Sequence, residues 1–267
     1  MPVDYHLHSQ FSGDSKTTLE AICHTAVERG IAEIAITDHM DYSYPDMRPD
    51  HQIANIDDYF HTIAHYQERY KGVLTIRTGI EIGMEPHHLD SCDAFLKQYP
   101  FDFVIGSIHE CCGLPVSRAV YFENKTKEQA YETYYSAVLE CVKAFDNFDV
   151  IGHLDYCKRY YPGEYTSGDH FIAQPIVEEL FRTLIAKGKG IEVNTSGFRH
   201  VSQMCMPHYD ILALYRQMGG TRITIGSDSH VAEYVGFHSE DTAKRLKQLG
   251  FDHISTFEQR VEKKLSL

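Results

Sequence analysis

The chain has 267 residues, 43% hydrophobic and 24% charged, the proportions of an ordinary globular protein, which excludes intrinsic disorder. Its apolar runs, such as Val104-Ile105 and Val150-Ile151, fall far short of the roughly 20 residues that cross a bilayer. Thirty-eight acids against twenty-five bases give a formal charge of -13, which repels phosphate backbones and argues against a nucleic-acid partner, though a small anionic substrate in a cation site stays open.

Along the chain one pattern repeats: a short β-branched stretch, a polar turn, then an amphipathic segment of helix length. It predicts seven strands, over residues 3–9, 31–39, 74–83, 101–109, 149–156, 190–196 and 222–230. Met1-Pro2 enters the first with no basic-then-apolar leader, so no membrane partner and a cytoplasmic location are expected. Helices are predicted over 126–145, along the apolar face of Ile176, Val177, Leu180, Phe181, Leu184 and Ile185 up to the stop at Lys187-Gly188, and over 239–249, with Ser239 as N-cap and Gly250 as terminator. The stretches 40–55, 111–125 and 158–168 follow strands and are read as loops. Strands alternating with helices mean a parallel sheet, and seven units at this length favour a closed α/β barrel over an open sheet. Nothing resembling a linker divides residues 1–267, so one domain is expected.

The seven cysteines contain no C-x-x-C pair and are read as free thiols. No phosphate-binding G-x-x-x-x-G-K-[ST] and no convincing G-x-G-x-x-G occurs, and Gly226-Ser227-Asp228 is not a G-x-S-x-G elbow, so no organic cofactor is expected. Histidine stands out, with 17 copies. Nearly every predicted strand finishes in a metal-capable residue: His6 and His8, Asp38-His39, Glu81, His109, His153 and Asp155, Asp228 and His230. Alternate residues of a strand share a face, so His6 with His8 and Asp228 with His230 can converge on one ion. In α/β barrels the carboxyl ends of the strands form one mouth, so all six segments would meet there. Imidazole and carboxylate without thiolate suit Mn, Fe or Zn, a carboxylate such as Glu81 can bridge two ions, and paired ions can activate a water and clamp a phosphoryl group. The other eleven histidines, in helices (His24, His61, His65, His170) or in loops and near element ends (His51, His87, His88, His200, His208, His238, His253), are read as ordinary polar residues. His61 and His65 have an i, i+4 spacing but lack the glutamate of H-E-x-x-H, which favours a solvated helix face. A dianion in an acidic protein needs cationic donors besides metal; Arg159 and Arg199, just beyond the fifth and sixth strands, are the candidates for phosphate contact.

The order H-x-H, T-D-H (Thr37 to His39), G-x-E (Gly79 to Glu81), G-S-x-H (Gly106 to His109), G-H-x-D (Gly152 to Asp155) and G-S-D-x-H (Gly226 to His230) resembles the polymerase and histidinol phosphatase (PHP) family over nearly the whole chain. The resemblance implies a distorted seven-stranded (βα)7 TIM-like barrel with two or three divalent ions. By motif, His6, His8, Glu81 and Asp228 would hold one ion, and Glu81, His109 and His153 a second. His39 and His230 would hold a third with Asp14, which stands where some trinuclear relatives have histidine. The nucleophile would be a metal-bridging water held by Glu81 and Asp228. Asp38 and Asp155 would orient ligands through hydrogen bonds. The segments 153–160 and 194–199 look most like the histidinol-phosphatase branch, which implies hydrolysis of L-histidinol phosphate in histidine biosynthesis. The alternatives are a phosphoesterase of nucleotides or nucleic-acid 3' ends and a catalytically inactive metal-binding module.

Overall fold

The computed structural model describes residues 2–42, 52–200 and 203–267. The middle of the stretch 40–55, with His51, lies outside that description, as does the side chain of His170. Strands β1 (Val3–Leu7), β2 (Glu33–Ile36), β3 (His39–Met40), β4 (Thr75–Gly83) and β5 (Phe103–Ser107) are followed by a two-residue hairpin, β6 (Glu110–Cys111) and β7 (Leu114–Pro115). Then come β8 (Val150–Ile151), β9 (Gly190–Asn194), β10 (Ile223–Gly226), β11 (His253–Glu258) and β12 (Val261–Ser266). Eight α-helices accompany them among the described residues: α1 (Leu19–Glu28), α2 (Ile56–Arg69), α3 (Leu89–Leu96), α4 (Lys127–Ala144), α5 (Tyr156–Tyr160), α6 (Gln174–Ala186), α7 (Tyr209–Gln217) and α8 (Ser239–Gln248).

The parallel order β1-β2-β4-β5-β8-β9-β10 matches the seven predicted strands one for one. The sheet curls into a nearly closed barrel: β1 returns to the segment after β10 through a parallel bridge between Leu7 and Ser229, with the His8 amide donating to the Ser229 carbonyl at 2.9 Å. Ile34, Ile80, Val104, Ile105, Ile191 and Ile223 are fully buried, the continuous apolar filling that a sheet covered by helices requires.

Helix ends follow local chemistry. Thr126 and Gln129 form a reciprocal capping box at the start of α4, and Gly188, at φ +64°, ends the turn after α6. One expectation fails: Ser239 is the first residue of α8, and its N-cap is His238 in the left-handed region. The Ser239 hydroxyl donates backwards to the Gly236 carbonyl instead of accepting from the helix. The stretch 158–168 is also not all loop, since α5 reaches Tyr160.

The antiparallel hairpin β11–β12 was not predicted. It lies against the N-terminal end of the barrel, where Phe257 stacks on Phe103 at 5.0 Å between ring centres and Tyr5 meets Phe103 edge-on. The Ser255 hydroxyl accepts from the Ile223 amide at the start of β10, and Arg260 in the turn pairs with Asp149 at the start of β8, 2.6 Å away. The turn itself is Gln259-Arg260, both at positive φ, without the glycine or asparagine that marks such turns in a sequence.

Candidate metal centre and substrate cavity

Six barrel strands deliver the nine candidate ligands to the C-terminal mouth, but few of those side chains sit inside strands. Glu81 does, paired in register with His39 on β3 and Ile105 on β5. His109, His153 and the pair Asp228 and His230 lie on the first residues after strands that end earlier than predicted. His153 (φ +23°) and Asp228 (φ +51°) are turned inward by left-handed backbone and not by strand alternation. For a residue other than glycine that conformation costs roughly 1 kcal/mol, a strain typical of functional sites.

Glu81 occupies the middle and uses its two oxygens toward different partners. Oε2 lies 3.2 Å from His6 Nε2 and 3.4 Å from His8 Nε2; Oε1 lies 3.2 Å from His109 Nε2 and 2.9 Å from His153 Nε2. Asp228 Oδ1 is 3.5 Å from His8 Nε2. On the other side of His8, Asp14 Oδ2 reaches His230 Nε2 at 3.0 Å and His39 Nε2 at 3.5 Å. Nε2 faces Nε2 across 3.0 Å in the His6–His8 pair and 3.4 Å in the His109–His153 pair.

The far ring nitrogens fix the tautomers. His6 Nδ1 is 2.6 Å from Glu192 Oε1, His109 Nδ1 is 3.0 Å from Asp41 Oδ1, and His8 Nδ1 is 3.1 Å from the Ser12 hydroxyl. Where Nδ1 donates and the ring is neutral, Nε2 is left as a lone-pair donor facing the cluster, the arrangement metal-ligating histidines adopt. Glu81 Oε2 is completely buried yet accepts no hydrogen bond among the described residues. Such acceptors crowded together repel unless a cation lies among them.

The charges say the same. Burial alone would push Glu81 up, but His6, His109 and His39 hold its carboxyl well below the usual range. Asp228 is held down likewise against burial, by His6, His8 and His230. Burial disfavours the charged form of His6 and His39, yet Glu192, Glu81 and Asp228 draw the first well up, and Glu81 and Asp14 draw the second up to about 10. His8 goes the other way, pushed well down by burial and by His230 and His39. The carboxylates recruit protons where divalent cations would satisfy them better.

The mouth opens into a cavity of about 470 Å³ lined by Arg159, Arg199, Tyr156, Tyr160, His200 and Tyr234 besides the ligands. Arg159 touches Ser196 and Asp228, and its Nε is buried with no hydrogen-bond partner among the described residues. Arg199 is more committed: its Nη atoms donate to the carbonyls of Ser227 and Asp228 at 3.0 Å, and its guanidinium lies over Tyr234.

Several residues were missed or misread. Glu192 also accepts the His153 amide through Oε2 at 2.8 Å, so one carboxylate ties the two halves of the cluster; its only sequence signal is an acid inside an otherwise apolar strand. Asp41 and Ser12 carried no motif. His200, read as an ordinary loop residue, lines the cavity and is pushed down to about 4 by burial and by Arg159 and Arg199. Asp38 orients a ligand indirectly, accepting from the Ser12 hydroxyl that meets His8. Asp155 orients no imidazole; it accepts from Tyr135, Lys158 and the His208 amide and so anchors the loop around α5. His61 and His65 face solvent, as expected, and all seven cysteines are free.

Comparison with known proteins gives a consistent outcome. The family model described as PHP domain matches residues 4–196. The histidinol-phosphatase of Lactococcus lactis subsp. lactis (strain IL1403) is 34% identical over 96% of this chain and 94% of its own, and a probable histidinol-phosphatase of Clostridium acetobutylicum is 28% identical over 98% and 99%. The crystal structure of histidinol phosphate phosphatase from Lactococcus lactis subsp. lactis Il1403, complexed with zinc, L-histidinol and phosphate, superposes with a TM-score of 0.88 at 33% identity, covering 98% of this chain and 99% of that one.

Proposed function

Because the chain belongs to the PHP domain family, we propose that it is a metal-dependent phosphomonoesterase hydrolysing L-histidinol phosphate to L-histidinol and phosphate, with residues 1–267 working as one unit. The observation that carries this reading is the end-to-end likeness to a phosphatase crystallised with zinc, L-histidinol and phosphate, in a chain whose own mouth gathers imidazoles and carboxylates around one cavity. Among the described residues no helix is long and apolar enough to cross a membrane; a cytoplasmic location fits a biosynthetic enzyme of this kind.

The donor set fits divalent ions, since the Nε2 atoms of His6, His8, His109 and His153 converge on Glu81, whose buried Oε2 accepts no hydrogen bond among the described residues. His6, His8, Glu81 and Asp228 would hold one ion, and Glu81, His109 and His153 a second; Asp14, His39 and His230 offer a third set. Zinc, manganese and iron all suit these donors. Such ions supply Lewis acidity toward a water nucleophile and the phosphoryl oxygens. The chain supplies the rest. Glu192 and Asp41 hold the Nδ1 protons of His6 and His109 and so keep both rings aimed. Arg159 offers its buried Nε to the phosphate. Arg199 holds the loop that carries Asp228. Tyr156, Tyr160 and Tyr234 give the cavity aromatic walls for the imidazole of the substrate.

The test is phosphate release from L-histidinol phosphate against nucleoside monophosphates, using protein reconstituted with zinc, manganese or iron. A preference for L-histidinol phosphate of at least ~10²-fold in kcat/KM is expected, since a site built to hydrogen-bond its substrate rejects analogues by such margins. Preference for a nucleotide, or no turnover of any phosphomonoester, would overturn the assignment.

A further inference from the structure

The loop leaving β4 and the hairpin leaving β5 meet at a second cavity, of about 340 Å³, which shares no lining residue with the mouth. We propose that its rim is a separate transition-metal site, of zinc class, formed by Glu85, His87 and His88 with Glu110 facing it. One ligand atom from each of the first three lies within 4.8 Å of the others. His87 Nε2 is 3.3 Å from Glu85 Oε2. Two ligands about 2.1 Å from one tetrahedral zinc stand about 3.4 Å apart, so this pair already has the spacing of a shared ion. Pro86 between them restricts the backbone that sets it.

Charge gives an independent argument. The buried Glu110 and the exposed Glu140 bring carboxylates to the cavity, and among the described residues lining it there is no lysine or arginine. Glu110 is only 7% exposed, and its Oε2 accepts no hydrogen bond among the described residues. A buried carboxylate oxygen without a donor is unfavourable unless a cation satisfies it. Imidazole and carboxylate together select zinc and its first-row neighbours over magnesium and calcium, and the exposed Cys112 thiol on the same wall adds a soft donor. An ion here would tie the β4–α3 loop to the hairpin that begins next to His109, without drawing on the donors of the mouth.

The experiment uses the full chain with its catalytic ions loaded, dialysed to equilibrium against micromolar zinc and assayed by elemental analysis. Wild-type protein should retain one more zinc per chain than the double variant His87→Ala/His88→Ala, whose turnover should stay within about twofold of wild type. Glu110→Gln should keep the fold and weaken retention of that extra zinc about tenfold, the usual loss when a supporting carboxylate is removed. Equal zinc content in wild type and double variant overturns the proposal. So does an extra zinc whose loss abolishes turnover, because it would then belong to the mouth, and so does unchanged zinc affinity in Glu110→Gln.

Discussion

At the N-terminal end of the barrel, Arg77 lies 2.8 Å from Glu33 and 3.0 Å from Glu258, Arg260 pairs with Asp149, and Tyr5, Phe103 and Phe257 pack ring against ring. At the C-terminal end of the same strands, ring nitrogens face each other at 3.0 and 3.4 Å, and Glu81 Oε2 is buried without a donor among the described residues. At the first end opposite charges are paired within the chain; at the second, imidazoles and carboxylates converge in the arrangement that a cation would complete. The difference teaches where stability and chemistry are separately invested, as the barrel architecture leads one to expect. It also makes the two ends separable by mutation.

The largest effect is expected at the centre of the mouth. Glu81→Ala should lower kcat at least ~10³-fold, more than His6→Ala, because Glu81 turns one oxygen toward the Nε2 atoms of each half of the cluster; steady-state kinetics on both variants checks this, and equal losses would contradict bridging. At the opposite end, Phe257→Ala should cost ~3–5 kcal/mol of stability in denaturant unfolding, the range for deleting a fully buried aromatic. Its kcat below the melting range should be near wild type; a large drop in kcat would join the two ends and break the comparison. Arg159→Ala should lower kcat/KM by roughly ten- to a thousandfold, from about 1.5 to 3 kcal/mol per charged hydrogen bond, with metal content unchanged. Wild-type kcat/KM in that variant would leave phosphate binding to the ions and other donors. The smallest effect should come from His61→Ala and His65→Ala on the solvent face of α2, where turnover should hardly move; a marked loss with metal content intact would mean that helix takes part in the site.

What the sequence made legible, and what it hid, follows the same division. The strands could be read because a covered parallel sheet demands runs such as Val104-Ile105 and Ile191 to Val193. The candidate ligands could be picked out because they fall at the ends of those runs, in short motifs whose residue types have little other reason to recur there. Their aim could not be read: Asp228 and His153 point inward through left-handed backbone, a property of two loops and not of the strand period. Glu192 and Asp41 stayed hidden because their partners, His6 and His109, are 186 and 68 residues away. Hairpin β11–β12 lacked both the usual turn residues and an apolar alternation, since β11 is buried on both faces and β12 is largely exposed.

The proposed function requires that the mouth work through more than one ion joined by Glu81. Its most direct test is elemental analysis of divalent metal per chain, measured alongside kcat on L-histidinol phosphate as ions are removed by chelation and returned stepwise. Negligible turnover is expected in stripped protein, and full activity only once at least two ions per chain are bound at the mouth. Full turnover by protein holding one ion or none would contradict it.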